Sequence, residues 1–142
     1  MIEEMKAILD KSLPLITNLS NASSVLNQME NINWCGFYLA MDNKLYLGPF
    51  QGEVACTVIP FGKGVCGDSA KSKKTIIVSN VLEYPGHIAC SSISRSEIVV
   101  PIMKDDKVLG VIDIDAPVFN RFNEKDKEVL EEVAKLISEI WS

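Results

Sequence analysis

The chain has 142 residues, and its 14 Lys and Arg against 19 Asp and Glu leave a formal net charge of −5. This length supports one hydrophobic core, because two domains would each be small and marginally stable. The acidic balance argues against a nucleic-acid partner, since binding phosphates needs a concentrated basic surface. No apolar stretch reaches about 18 residues, and the N-terminus has no positively charged leader. The sequence therefore predicts a cytoplasmic protein without a membrane partner.

Helical periodicity opens the chain. Apolar residues recur at three- and four-residue steps across 5–13, which predicts a first helix. Pro14 is expected to kink that helix, to end it or to start a new one. Good capping residues at 21–23 predict a second helix that ends at Asn31. The N-terminal helices are thus expected at about 2–30.

Strand patterns follow. The run NWCGFYLAM alternates with a period of two and returns through the turn at 42–43 into KLYLGPF, which predicts a hairpin. Residues 53–59, EVACTVI, are predicted to form another strand with Cys56 near its middle. Three glycines then lead into a short helix that ends around Lys73, and TIIV at 75–78 is a further short strand.

The remaining elements complete one domain over 1–142. A connection without periodicity spans 79–95, and a loop of this length is usually functional. Two apolar strands, EIVVPIM and KVLGVIDID, precede a helix at about 123–141. Consecutive hairpins between terminal helices predict an α+β domain. We expect a central antiparallel sheet, with its active-site loops at about 33–119, and N- and C-terminal helices packed on one of its faces.

Four cysteines allow a core, metal-binding or redox role, because structural disulfides are rare in the cytosol. Their spacing fits neither a zinc motif nor C-x-x-C, so no metal site is predicted. Cys35 lies in the most apolar strand and is expected in the core. Cys66 begins a helix, where it could be a stabilised thiolate or a simple consequence of the glycine turn. Cys90, in the long loop, is the candidate reactive thiol, and for each cysteine the alternative is a small buried hydrophobic residue.

Acidic residues form a second candidate site. Asp113 and Asp115 are two positions apart in a strand, so their carboxylates share one face, although Asp is uncommon in strands. Glu97 opens the neighbouring strand and could point to the same place. Three such acids would raise at least one pKa and make a proton donor, or would hold a cation or an amino group. The alternative is a strand end that frays before Pro117.

Three other residues have two readings each. His87 could support Cys90 as a base or lie on the surface of the loop. Trp34 and Tyr38 share a strand face and could line a pocket or serve as ordinary core aromatics.

In order along the chain, NWCGFY, LGPFQG, ACTVIPFGKGVCG, PGHIAC, SEIVVPI and GVIDID followed by RF resemble the free methionine-(R)-sulfoxide reductase family. Members of this family are single GAF domains, and the resemblance runs from about Asn33 to Phe122. It implies a thiol enzyme that reduces free L-methionine (R)-S-oxide to L-methionine through a cysteine sulfenic acid and an intramolecular disulfide. Thioredoxin would restore the enzyme, which would be a homodimer without a bound cofactor.

The resemblance also implies a role for each motif residue. The nucleophile, the resolving thiol and the auxiliary thiol would be Cys90, Cys56 and Cys66. The substrate-binding acids and the wall around the sulfoxide methyl end would be Glu97, Asp113, Asp115, Trp34 and Tyr38. A carboxylic acid kept neutral by its neighbours could protonate the sulfoxide oxygen, and Glu97 is our candidate for this acid.

The chain departs from the family pattern at two places. Cys35 stands where the family often has a small apolar residue, and Ser91-Ser92-Ile93 stands where many members have Asp and two alanines. A competing hypothesis is a non-catalytic GAF module that senses a small molecule.

Overall fold

A computed structural model of the chain describes residues 1–87 and 91–142, so that Cys90 lies outside the described residues. The helices are α1 (Ile2–Ile8), α2 (Leu15–Leu26), α3 (Gly64–Ser72) and α4 (Glu124–Ile140), with one 3-10 turn at Val81–Glu83. The strands are β1 (Trp34–Met41), β2 (Lys44–Gln51), β3 (Val58–Pro60), β4 (Ile76–Val78), β5 (Ser96–Lys104) and β6 (Lys107–Ala116). In the part of the chain that the structure describes, no helix combines the length and hydropathy needed to cross a bilayer.

The six strands form one sheet in the order β3-β2-β1-β6-β5-β4, and every neighbouring pair is antiparallel. The β1–β2 hairpin turns through Asp42 and Asn43, and the β5–β6 hairpin turns through Asp105 and Asp106. All four residues have left-handed φ angles between 51° and 65°. Such two-residue turns match the right-handed twist of the strands. The predicted antiparallel sheet is confirmed.

Each face of the sheet carries its own apolar cluster. α1, α2 and α4 cover one face, where Cys35 and Phe37 of β1 are buried among their side chains. α3 covers the other face, where Trp34 and Tyr38 of the same strand are buried. Side chains of β1 point alternately to the two faces of the sheet. One face is packed against α1, α2 and α4, and the other face is packed against α3. The prediction that the terminal helices share one face is confirmed, and so is the core position of Cys35.

The helix ends show where local patterns were misleading. α2 begins directly after Pro14, not near 21–23, and it ends at Leu26 rather than at Asn31. The hydroxyls of Ser20 and Ser23 donate to carbonyls one turn earlier, so both fit inside a helix instead of capping it.

α1 ends at Ile8 rather than near residue 13. The Asn18 side chain accepts a hydrogen bond from Asp10 N and donates one to Asp10 O, at 3.0 and 2.8 Å. These bonds hold the chain in a turn before α2. By contrast, α4 follows its prediction, because Asn123 and Asp126 form a capping box at its start.

Cys35 is expected to be chemically inert in the folded protein. Its side chain has no exposed surface, and burial raises the pKa of its thiol to about 12, so the reactive thiolate is absent near neutral pH. Iodoacetamide should label Cys35 only after denaturation, as read by peptide mass spectrometry. Cys35→Ala should cost about 1–2 kcal/mol in the free energy of unfolding. Rapid labelling of Cys35 in the native protein would contradict this.

Candidate active site

A cavity of about 50 Å³ opens on the α3 face of the sheet. Its wall includes six of the eight residues predicted from the sequence: Trp34, Tyr38, Cys66, Glu97, Asp113 and Asp115. Cys56 follows the lining residue Ala55 in the chain. Cys90, the expected nucleophile, is outside the described residues. The structure thus brings the predicted acids, aromatic residues and one predicted cysteine to a single cavity.

The register of β5 and β6 brings the three acids together. Glu97 pairs directly with Asp115, and Asp113 lies two residues further along β6 on the same face. Glu97 and Asp113 are only 7% and 6% exposed. β6 continues to Ala116, so the alternative of a frayed strand end is wrong. The predicted convergence of the three carboxyl groups is confirmed.

Burial raises the pKa of all three carboxyl groups, but not equally. The pKa of Glu97 is well above its ordinary value because of burial and then the charge of Asp113. The pKa of Asp115 is well above its ordinary value for the same reasons, burial first and then Asp113. For Asp113, hydrogen bonds from Glu97, Cys66 and Asp115 oppose the effect of burial on the pKa. We infer that Asp113 is the carboxylate and that its two neighbours are neutral acids.

Cys66 belongs to the same cluster. Its Sγ lies 4.0 Å from Glu97 Oε2, and it carries a free thiol. Burial, followed by the charge of Asp113, raises the pKa of the thiol well above its ordinary value. A helix N-terminus contributes only about 0.3–1 kcal/mol, which these effects outweigh. The possibility that Cys66 is a stabilised thiolate is therefore wrong for this state of the protein.

The donor atoms of Cys66, Glu97 and Asp113 lie within 4.8 Å of one another, which is close enough for a metal ion. A metal binds deprotonated ligands, so it would have to displace the protons that burial favours on Cys66 and Glu97. The cluster is better suited to donating a proton and to binding a cationic amino group.

Two aromatic side chains connect the cavity to the segment that carries Cys56. Trp34 Nε1 donates to Glu53 O at 3.0 Å, and the Tyr38 hydroxyl donates to Cys56 O at 2.9 Å. The two rings are stacked with their centroids 6.1 Å apart. They are therefore part of a cavity wall as well as of a core, and they hold the neighbouring segment in place.

This segment corrects one prediction. A strand was expected over 53–59, but β3 covers only Val58–Pro60, and Cys56 lies in irregular structure before it. Side-chain hydrogen bonds from β1 take the place of strand pairing here. Cys56 is disulfide-bonded, whereas Cys35 and Cys66 are free thiols.

Sequence reasoning missed several residues of the cavity wall, among them Asn33, Lys63 and Ser94. Asn33 Nδ2 donates to Ser94 Oγ at 3.1 Å. Asn33 opens the NWCGFY motif, and its place next to Trp34 was the only available signal. His87 is half-buried in the same wall, and burial lowers its pKa, so it is neutral near pH 7.

The N-terminus of α3 also faces the cavity. Lys63 occupies the N-cap position without a side-chain cap hydrogen bond, and Gly64, Val65 and Cys66 line the wall. The main-chain N–H groups of a first helical turn, with the positive end of the helix dipole, favour an anionic group.

Comparisons with known proteins identify the family of the chain. Residues 21–142 match the GAF domain family. The chain is 52% identical over 138 residues to the free methionine-R-sulfoxide reductase of Saccharomyces cerevisiae, covering 91% of this chain and 77% of the relative. It is 38% identical over 138 residues to the enzyme of the same name from Escherichia coli, covering 96% and 84%.

Solved structures give the same result. The reduced form of fRMsr of Staphylococcus aureus is 48% identical, with a TM-score of 0.94 over 99% of this chain and 92% of that one. The free methionine-R-sulfoxide reductase from Neisseria meningitidis in complex with its substrate is 40% identical, with a TM-score of 0.93 over 98% and 84%. The chain belongs to the free methionine-R-sulfoxide reductase family of GAF domains.

Proposed function

We propose that this protein reduces free L-methionine (R)-S-oxide to L-methionine. The observation that carries the proposal is the cluster of buried Glu97 and Asp113 with half-buried Asp115 in a cavity walled by Trp34 and Tyr38. Two of these acids retain protons and one is charged, so a single site can donate a proton and bind an ammonium group. The relatives named above act on a substrate that needs both.

The carboxyl cluster suits two of the polar groups of the substrate. The buried Oδ1 of Asp113 has no hydrogen-bond partner, and a carboxylate in this position can accept from the substrate ammonium group. The neutral carboxyl groups of Glu97 and Asp115 can donate to the sulfoxide oxygen.

The other two ends of the substrate have their own partners. The substrate carboxylate fits the uncapped start of α3 and the ammonium of Lys63. The methyl end of the sulfoxide packs against the stacked rings of Trp34 and Tyr38. Together these contacts orient the sulfur toward an attacking thiolate.

The reaction then needs an acid and two thiols. Glu97 protonates the sulfoxide oxygen, which makes the sulfur electrophilic. The Cys90 thiolate attacks the sulfur, the oxygen is transferred to Cys90 as a sulfenic acid, and methionine leaves. Cys56 condenses with the sulfenic acid to form a disulfide and water. The dithiol of thioredoxin reduces this disulfide by exchange and is itself oxidised.

The proposal also covers the role of Cys66, the oligomeric state and the reductant. Cys66 would be an auxiliary thiol that exchanges with the other two, and burial would keep it protonated until it is needed. We expect a cytoplasmic homodimer that needs no bound cofactor and takes its electrons from thioredoxin.

The direct test is an assay with thioredoxin, its reductase and NADPH on separated sulfoxide epimers. NADPH should be consumed with the free R epimer and not with the S epimer or with a peptide-bound sulfoxide. A sensing module would instead bind a ligand without turnover, and that outcome would overturn the proposal. Cys90→Ser should abolish turnover, and Cys56→Ser should release about one methionine per chain without thioredoxin recycling. Cys35→Ala is the matched control and should keep full activity.

Glu97→Gln should lower kcat by about 100-fold or more, because general acid catalysis contributes on the order of 10²–10⁴. The variant keeps the shape of the side chain but cannot donate the carboxylic proton. Glu132→Gln, on the exposed side of α4, is the matched control. Full activity of Glu97→Gln would remove Glu97 as the acid.

The same substitution should change how stability depends on pH. The folded pKa of Glu97 is well above its ordinary value of 4.5, so the folded state retains a proton that the unfolded chain releases. This contribution to stability is fully present below about pH 4.5 and is lost as pH rises toward the folded pKa. Urea denaturation at pH 5, 7 and 9 should show a shallower loss of stability for Glu97→Gln than for the wild type. Equal slopes would contradict the assigned protonation.

Tyr38→Phe should slow the resolving step while sparing the first one. It removes the hydrogen bond to Cys56 O and keeps the ring against the substrate. A hydrogen bond worth about 1 kcal/mol predicts disulfide formation about fivefold slower, so the sulfenic acid should accumulate and be trapped by dimedone. Tyr46→Phe, in β2, is the matched control. An unchanged dimedone adduct would show that the hydroxyl does not position Cys56.

A further inference from the structure

Two buried side-chain atoms among the described residues have no hydrogen-bond partner: Asn33 Oδ1 and Asp113 Oδ1. Both residues line the same cavity. Buried polar atoms are almost always paired in folded proteins. Both atoms are hydrogen-bond acceptors, so the pair points to a ligand that presents more than one N–H or O–H donor to this wall.

Asn33 is held in place by one side-chain and one main-chain hydrogen bond. Its Nδ2 donates to the Oγ of Ser94 at 3.1 Å, and its main-chain N donates to Asp115 O at 2.9 Å. Ser94 is itself buried, at 6% exposure. The amide donor is therefore occupied within the protein, and the amide oxygen is the atom left for a ligand.

We propose that Asn33 is a substrate-binding residue whose Oδ1 accepts a hydrogen bond from the ammonium group of free methionine sulfoxide, alongside Asp113. This inference rests on the proposed function and adds a second acceptor to it. An ammonium group has three N–H donors and can serve both acceptors, whereas a peptide nitrogen has one donor and no charge. The two acceptors together select a free amino acid over a residue within a chain.

A neutral amide has a physical advantage at this position. Glu97, Asp113 and Asp115 already crowd the cavity, and a fourth carboxylate would raise their pKa values further through like-charge repulsion. An amide oxygen accepts the hydrogen bond without adding charge, so it leaves the protonation of the three acids undisturbed.

The test compares methionine (R)-sulfoxide with its analogue that lacks the amino group, (R)-4-(methylsulfinyl)butanoate. Asn33→Ala should lower kcat/KM for the amino acid about tenfold, mainly through KM, and leave kcat/KM for the analogue nearly unchanged. The preference for the amino group should therefore fall about tenfold. An unchanged preference would overturn the inference. If the wild type reduced neither compound, the proposed function would fail instead.

Two further variants complete the test. Asn33→Asp keeps an acceptor at the same place and should keep the preference for the amino group, whatever its effect on kcat. If it lost the preference as Asn33→Ala does, the amide N–H would be the essential group and the inference would be wrong. Asn21→Ala, on the exposed side of α2, should match the wild type.

Calorimetric binding gives a readout without turnover. L-methionine should bind the wild type more tightly than 4-(methylthio)butanoate does, and Asn33→Ala should lose most of that difference. The same measurement on Asn33→Asp decides the matter if Asn33→Ala fails to fold, because loss of the preference there would also overturn the inference.

Discussion

Three carboxyl groups, two buried and one half-buried, lie side by side on β5 and β6. Their ionised forms repel one another, and the chemistry of the site depends on this constraint. Glu97 faces Asp115 across the strand pair, and Asp113 lies two residues further along the same face. Burial and mutual repulsion raise the pKa of Glu97 and Asp115 well above the ordinary values, which favours their protonated forms. The cavity thus holds proton donors and one negative charge at the same time. Ordinary carboxylates at the surface would provide only charge.

Burying carboxyl groups costs free energy of folding. The apolar packing on the opposite face of the sheet offsets this cost. There α1, α2 and α4 close over a continuous apolar cluster that contains Cys35 and Phe37. α3 covers the functional face together with Val81 and the loop residues Ala55, Cys56, Phe61 and Tyr84, and the cavity opens beside the N-terminus of α3. Strand alternation connects the two faces, because a slip of one residue in β1 would exchange Trp34 for Cys35 in the cavity. The apolar face therefore stabilises the sheet, and the other face carries the cavity and its polar side chains.

The sequence predicted the features that depend on local periodicity. The hairpins, the capped helix α4 and the shared face of Asp113 and Asp115 follow from spacing alone. Features decided by tertiary contacts were not predictable in this way. The segment around Cys56 is irregular because side chains from β1 satisfy its carbonyls. The protonated state of Cys66 reflects acids that are distant in sequence, and nothing local marks Asn33 Oδ1 as an unpaired acceptor.

The hydrogen bonds of Trp34 and Tyr38 link the two halves of the proposed reaction. Their rings form the cavity wall, while their polar atoms hold the carbonyls of Glu53 and Cys56. A ligand that packs against the rings therefore acts on the same side chains that position the resolving cysteine. Because both rings are almost fully buried, at 4% and 2% exposure, they have little freedom to move independently of that segment. Substrate binding and the placement of Cys56 are consequently coupled through two rigid side chains, without any requirement for a separate moving element.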